Sequence, residues 1–260
     1  MIFDTHAHYD SEQFDGDREA VLAALKEGGV GRVVNIAADI PSVETTFALA
    51  RTYDQVYGVL GIHPDGVPDM GEGTVERIRA LVREDGGRKI VAVGEIGLDY
   101  YHRDHIPREL QKKWFVRQLE LSEELGLPVV IHSREAAQDT YEILKACRTG
   151  DGCGIMHCYS YSREMAARFL DLGYYIALGG VVTFKNARAA KEVAAYVPED
   201  RLLLETDCPY MAPVPYRGTR NDSRLLREVV KAVAALRGVS EAEVEEMTWR
   251  NANRLYRIPD

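Results

Sequence analysis

The amino-acid sequence predicts an α/β fold of the TIM (β/α)8 barrel class. Eight short apolar runs rich in β-branched residues are separated by segments with helical periodicity. Strands that alternate with helices pair in parallel through right-handed crossovers, and 260 residues is a usual length for eight such units. Histidines and carboxylates stand at the ends of these runs, which in a barrel converge on one mouth. We therefore expect residues 1–260 to form a single TIM-barrel domain.

Each predicted strand is short, and several are almost continuously apolar, which is typical of strands buried on both faces. A doubly wound open sheet would show the same alternation, but it would spread the polar strand ends along a wide edge. The barrel is favoured because it gathers them in one place. In chain order the predicted strands are MIFDTHAH, GRVVNIAA, VYGVLGIH, KIVAVGEIGL, LPVVIHS, GIMHCYS, YYIALGG and RLLLETD.

Helical patterns lie between these strands. PSVETTFALARTY has Pro41 near its first turn, where proline is favoured. DREAVLAALKEGG and PRELQKKWFVRQLELSEELG both end on glycine, a common helix stop. A last segment, SEAEVEEMTWRNANRLY, precedes no further strand, so we expect it to cap the structure. The remaining helical segments are SREMAARFLDLG, NARAAKEVAAYV and SRLLREVVKAVAALRG.

Composition excludes several classes of protein. No apolar run reaches the roughly 20 residues of a membrane span, and the N-terminus has no basic segment followed by an apolar one. Four irregularly spaced cysteines do not form a disulfide framework. A net charge of −9 argues against a broad nucleic-acid-binding surface but not against a local cationic pocket. We expect a cytoplasmic protein, a monomer, with no membrane partner.

The segment DTHAH raises the question of what two histidines do at the end of a first strand. Residues i and i+2 share a face of a strand, so Asp4, His6 and His8 point the same way. Buried imidazoles and carboxylates are costly unless they are paired or bind a cation, and both are good ligands for divalent metals. The sequence therefore predicts a metal centre built from the ligand-type residues at the strand ends, His6, His8, Glu95, His132, His157 and Asp207.

Other polar residues near the strand ends receive different predictions. Asp4 and Glu205 lie one pleat deeper, so we expect them to orient ligand imidazoles. His102 and His105 lie in a loop and are expected to be solvated.

A family is indicated by motifs along the whole chain: DTHAH, GIHP, GEIGLDYY, PVVIHSREA, MHCYS, TFKNA and LLETDCPYMAPVPYRGTRN. The sequence resembles the TatD-type metal-dependent deoxyribonucleases, within the amidohydrolase superfamily of TIM barrels. The resemblance implies two divalent ions per chain (Zn, Mg or Mn), one held by His6, His8 and Asp207, the other by His132 and His157, with Glu95 as the bridge.

The implied activity is hydrolysis of phosphodiester bonds in DNA, at strand ends or in single strands, by a two-metal mechanism. Asp207 is expected to relay the proton of the attacking water, and Glu95 to serve catalysis as the bridging ligand. Two alternatives stay open on the same residues: a small-molecule amidohydrolase or aminoacyl-RNA deacylase, and a non-catalytic metal-binding module. Arginines at the mouth favour phosphate as the substrate. The predicted substrate contacts are His63, Tyr100, Arg134 and Arg217.

Overall fold

The structure is a computed structural model that describes residues 1–102, 105–150 and 152–259. Within these ranges eight strands form one sheet whose order follows the chain, and helices alternate with the strands. The TIM-barrel class predicted from the sequence is confirmed. The strands are β1 (Ile2–Ala7), β2 (Val30–Ile36), β3 (Val56–Leu60), β4 (Ile90–Asp99), β5 (Val129–Arg134), β6 (Gly154–Met156), β7 (Tyr175–Leu178) and β8 (Leu202–Leu204).

Nine α-helices occupy the described ranges, and seven of them were predicted. The two that were not predicted are α3 and α5. None of the nine is long and apolar enough to cross a membrane. The helices are α1 (Arg18–Ala24), α2 (Ile40–Thr52), α3 (Glu72–Asp85), α4 (Arg108–Leu125), α5 (Ala137–Cys147), α6 (Arg163–Asp171), α7 (Arg188–Tyr196), α8 (Leu226–Arg237) and α9 (Glu241–Tyr256).

Local sequence signals explain where helices begin and end. The carboxylate of Asp39 accepts a hydrogen bond from the amide of Ser42 (2.8 Å), and Pro41 occupies the first turn of α2, as predicted. Helix α4 ends at Leu125 and is capped by Gly126, which has a φ of +66°, a left-handed conformation that glycine adopts without strain.

Residue contacts divide the chain into two compact units, and the single domain predicted from the sequence stays a prediction. Unit 1 comprises Met1–Val34, His157–Leu170 and Tyr175–Asp260. In it, helix α9 packs against β1 and β8. The ring of Trp249 lies 5.7 Å from that of Phe3, and the hydroxyl of Tyr256 donates to the Thr5 carbonyl (3.1 Å).

Unit 2 comprises Asn35–Met156 and Asp171–Tyr174. Its apolar core includes Leu60, Ile78 and Trp114, from a strand and two helices. Strand β4 comes so close to β5 that a Cβ at Gly97 would lie 1.9 Å from the carbonyl oxygen of His132. Only glycine fits there, and its φ of +147° is one that other residues rarely adopt. Gly97, the second glycine of the motif GEIGLDYY, is therefore needed to bring the two strands together.

Candidate metal-binding clusters

The first cluster lies in unit 1, where β1 runs beside the segment that follows β8. The amide of Asp207 donates to the His6 carbonyl (2.9 Å), which places the Asp207 side chain beside the end of β1. His6 and His8 share a face of that strand end, as the alternation predicts. Their Nε2 atoms are 3.1 Å apart, and Asp207 Oδ1 lies 3.4 Å from His8 Nε2 and 3.7 Å from His6 Nε2.

This spacing fits a divalent ion. Ligand atoms bound at about 2.0–2.2 Å to a tetrahedral ion are about 3.3–3.6 Å apart, and the three separations here span 3.1–3.7 Å. Neutral imidazole and carboxylate are the donor types that Zn, Mn and related ions accept. His6, His8 and Asp207 therefore form a suitable three-donor site.

Asp207 is held in an unusual conformation. Its φ is +56°, in the left-handed region that aspartate tolerates better than most residues. Burial opposes ionisation, but the hydrogen bond with His8 and the positive potential of His6 and His157 lower the pKa of Asp207 below its usual value. The carboxylate is therefore charged at neutral pH and can act as a ligand or accept a proton.

His157 and Glu205 complete the cluster in unit 1. The His157 ring stacks on the His6 ring with centroids 4.0 Å apart, and its Nδ1 is 3.6 Å from Glu205 Oε1. The other carboxylate oxygen of Glu205 is buried and, among the described residues, has no hydrogen-bond partner. A buried carboxylate oxygen in this state is stabilised by a nearby cation. We call His6, His8, His157, Glu205 and Asp207 the His6 cluster.

Asp4 contacts the backbone that carries the ligand-type residues of the His6 cluster. Its carboxylate accepts hydrogen bonds from the amide of His6 (3.2 Å), from the amide of Thr206 (3.0 Å) and from the hydroxyls of Thr206 and Ser223 (2.6 Å each). Burial raises the pKa of Asp4 to about 7 despite these bonds. Asp4 thus fixes the backbone from which His6 projects, and its predicted role in orienting a ligand imidazole stays a prediction.

The second cluster, the His132 cluster, lies in unit 2 and consists of His63, Glu95, Asp99 and His132. His132 Nδ1 is 2.8 Å from Glu95 Oε1, and His132 Nε2 is 3.1 Å from Asp99 Oδ2. A neutral imidazole has one N–H, so it can donate to only one of two carboxylates. The second contact requires a further proton or a metal ion, and His63, Asp99 and His132 present donor atoms close enough to share one. The chemistry of this donor set also fits a divalent cation.

Asp99 was not predicted as a site residue, although a signal was present. It follows Glu95 by four residues on β4, so both side chains lie on one face of the strand. Burial opposes its ionisation, but hydrogen bonds from His132 and from the amides of His102 and Tyr101 lower its pKa. The His102 ring, predicted to be solvated, is 54% exposed and yet places Nδ1 3.0 Å from Asp99 Oδ2. His105 is exposed, as predicted.

His63 lies in the His132 cluster, and its predicted contact with the substrate stays a prediction. Its Nδ1 accepts a hydrogen bond from the amide of Asp65 (3.2 Å), which favours the tautomer with hydrogen on Nε2. That Nε2 lies 3.8 Å from Glu95 Oε1. Burial and the neighbouring His132 lower the pKa of His63, so it is neutral at pH 7.

Arg134 and Tyr100 are the other predicted substrate contacts in unit 2, and they differ in whether their polar groups already have a hydrogen-bond partner. Arg134 lies two residues beyond His132, and its guanidinium carbon stands 5.3 Å from the Tyr101 ring centroid. The Arg134 Nε is buried and has no hydrogen-bond partner within the described ranges. The hydroxyl of Tyr100, in contrast, donates to Asp139 (2.7 Å). Arg134 is therefore the more available group for an anionic substrate.

Two arginines follow β8 in unit 1. The guanidinium carbon of Arg217 lies 3.8 Å from the ring centroid of Phe184, and the side chain is otherwise exposed. Arg220 makes two hydrogen bonds to the carboxylate of Asp17 (2.8 and 2.6 Å). Arg217 is accordingly the freer of the two, and its assignment as a substrate contact stays a prediction.

Comparisons with known proteins identify the family of the chain. The family model described as "TatD related DNase" matches residues 3–257. The chain is 41% identical over 258 residues to the metal-dependent hydrolase YabD of Bacillus subtilis, covering 99% of this chain and all of the relative. It is 32% identical over 261 residues to the 3'-5' ssDNA/RNA exonuclease TatD of Cronobacter sakazakii, covering 98% of this chain and 97% of that protein. The crystal structure of YjjV, a TatD homologue from Escherichia coli, superposes with a TM-score of 0.92 and 32% identity, covering 99% of this chain and 98% of that one. The chain belongs to the TatD family and is a metal-dependent hydrolase.

Proposed function

We propose that this hydrolase cleaves phosphodiester bonds in DNA, working from the ends of single or frayed strands. The observation that carries the proposal is the convergence of His6 and His8 on the Asp207 carboxylate, a set of donors that suits a divalent ion. The relative from Cronobacter sakazakii, named as an exonuclease on single-stranded DNA and RNA, supports the choice of substrate.

We propose two divalent ions per chain, one in the His6 cluster and one in the His132 cluster, with Zn, Mg or Mn as the candidates. Such ions would withdraw charge from a phosphoryl oxygen and promote loss of a proton from an attacking water. The pairing of His157 with His132 at the second ion and the bridging role of Glu95, both implied by the resemblance, stay predictions.

The protein's own groups have separate tasks in this proposal. Asp207 is ionised, so it can accept the proton of the attacking water while it orients the water. The Arg134 guanidinium binds a phosphate oxygen, because its Nε is buried without a hydrogen-bond partner in the described part of the chain. Glu205, behind the His157 ring, keeps that imidazole in place.

The choice of strand ends follows from charge. A net charge of −9 leaves little basic surface to hold a long duplex, so contacts with phosphates should be few and local. Binding should therefore depend only weakly on salt, because the slope follows the number of phosphates neutralised.

A substrate panel tests the proposal. Metal-free protein reconstituted with Mg, Mn or Zn is assayed on single-stranded DNA, duplex DNA, RNA and an uncharged amide. We expect turnover of single-stranded DNA with at least one of the metals, slower turnover of blunt duplex, and none without metal. Turnover of the amide together with intact DNA under every metal would contradict the proposal and favour an amidohydrolase.

A further inference from the structure

The segment that follows the ligand Asp207 exposes aromatic side chains. This segment, residues 208–220, is called here the β8–α8 loop. Four of its side chains, Tyr210, Met211, Val214 and Tyr216, are large, apolar and exposed. Tyr210 is 53% and Tyr216 43% exposed. Exposed aromatic residues grouped in this way are typical of a binding surface.

Hydrogen bonds fix the backbone of the β8–α8 loop, so its aromatic side chains are exposed in a defined conformation. The side-chain amide of Asn221 donates to the carbonyls of Thr206 (3.0 Å) and Tyr210 (2.7 Å), which ties the two ends of the loop together. In its middle, the Val214 amide donates to the Thr183 hydroxyl (2.8 Å). Three prolines in the loop further restrict its backbone.

A tight turn presents Tyr216 and Arg217. The amide of Thr219 donates to the Tyr216 carbonyl (3.2 Å), and Gly218 between them has a φ of +85°, as a turn of this kind requires. Stacking on Phe184 orients the guanidinium of Arg217, whose side chain stays exposed. The turn thus displays an aromatic face beside a cation.

The positive charge of the loop favours an anionic partner. Residues 208–220 contain two arginines and no carboxylate, in a chain whose net charge is −9. Asp17 balances Arg220, which leaves the charge of Arg217 for an anion. Flat aromatic faces beside one cation match the bases and phosphates of a single nucleic-acid strand. The loop also begins next to Asp207, since the Tyr210 amide donates to the Asp207 carbonyl (2.9 Å).

We propose that the β8–α8 loop is a stacking platform for a single-stranded nucleic acid, with Tyr210 and Tyr216 contacting bases and Arg217 contacting a phosphate. This inference rests on the proposed function and deepens it. The platform binds the part of the strand that lies beyond the scissile bond, whatever its base sequence, because every base offers a π-face.

The test measures KM and kcat on a short single-stranded oligodeoxynucleotide. Loss of a stacked base contact costs roughly a factor of 10 in affinity, so Tyr216→Leu should raise KM about tenfold. Tyr216→Phe keeps the flat face and should stay within about twofold of the unmodified protein. Tyr196→Leu is the matched control, because Tyr196 is also an exposed tyrosine of unit 1 but lies on α7. Arg217→Gln should make the salt slope of binding shallower by about 0.7.

A base-free diester, bis(p-nitrophenyl) phosphate, separates the two proposals. If the unmodified protein hydrolyses this diester but KM for the oligonucleotide is unchanged in Tyr216→Leu, the platform is refuted and the proposed function stands. If the protein hydrolyses neither substrate with Mg, Mn or Zn, the proposed function fails. A dimer that Tyr216→Leu dissociates, with KM unchanged, would identify the loop as a contact between two copies and would also refute the platform.

Discussion

The Nε2 atoms of His6 and His8 lie 3.1 Å apart. At that distance two imidazole nitrogens either share one proton or bind one cation, since two protonated nitrogens would repel each other. The nearby Asp207 carboxylate makes the cation the better solution, because it adds a third donor at a ligand-like distance.

Removal of His8 should therefore weaken metal binding. We expect His8→Ala to lower the affinity for Mn or Zn by more than the roughly 10–100-fold that loss of an outer-shell group costs. Isothermal titration of the chelator-treated protein gives the affinity and the number of ions. His105→Ala is the control, because His105 is exposed. Equal affinities in the two variants would refute the role of the His6 cluster.

Asp99, which was not predicted as a site residue, should also contribute to metal affinity. Its Oδ2 contacts both His132 and His102, at 3.1 and 3.0 Å. We expect Asp99→Asn to lower metal affinity about 10–100-fold, because the amide no longer holds the His132 ring by its charge. His102→Gln removes the exposed neighbour and should have a smaller effect. A larger loss in His102→Gln than in Asp99→Asn would show that His102, and not His132, is the group that matters.

The stability of the metal-free protein should depend on pH through His63. Burial lowers the pKa of His63 below 6.5 in the folded state. Below about pH 6.5 the unfolded chain then binds more protons than the folded one, so the free energy of unfolding falls as pH falls through this window. Urea denaturation in the presence of a chelator should show a smaller decline for His63→Asn than for the unmodified protein, by about 1.4 kcal/mol if the folded and unfolded chains differ tenfold in proton affinity at His63. An identical decline of the free energy of unfolding in both proteins would contradict the lowered pKa of His63 in the folded state.

Arg134 tests the phosphate contact apart from metal binding. We expect Arg134→Ala to raise KM for single-stranded DNA or to lower kcat/KM, by roughly 10-fold or more for a charge-assisted hydrogen bond of about 1.5–3 kcal/mol. Metal content, measured by mass spectrometry, should not change. Arg220→Ala is a useful comparison, because Arg220 is held by Asp17. Loss of metal from Arg134→Ala would assign the residue to the structure of the site instead.

Strand positions were predictable because their signals are local. Each predicted strand overlaps an observed one, and the histidines of the predicted ligand set lie in or just after β1, β5 and β6. Helices α3 and α5 were missed for physical reasons. Helix α3 begins at Glu72 between two glycines, which weaken helix propensity. Helix α5 buries only Thr140 and Leu144, so its apolar stripe is narrow.

Pairings between distant residues could not be predicted. The hydroxyl of Tyr100 binds Asp139, 39 residues away, and Arg220 binds Asp17, 203 residues away. Such pairs depend on the packing of separate elements and leave no periodic signal in the sequence. The place of Asp99 in the site, in contrast, was predictable from the sequence. It follows Glu95 by four residues on one strand, so the two side chains share a face.

End-labelled single-stranded DNA provides a direct test of exonuclease activity in this protein. The unmodified protein and Asp207→Asn are incubated with the labelled strand and Mg, Mn or Zn, with and without a chelator, and the product lengths are followed in time. We expect the unmodified protein to give a ladder that shortens from one end. The chelator should abolish this ladder, and Asp207→Asn should not produce it. Intact DNA with Mg, Mn and Zn, or cleavage that Asp207→Asn leaves unchanged, would contradict it.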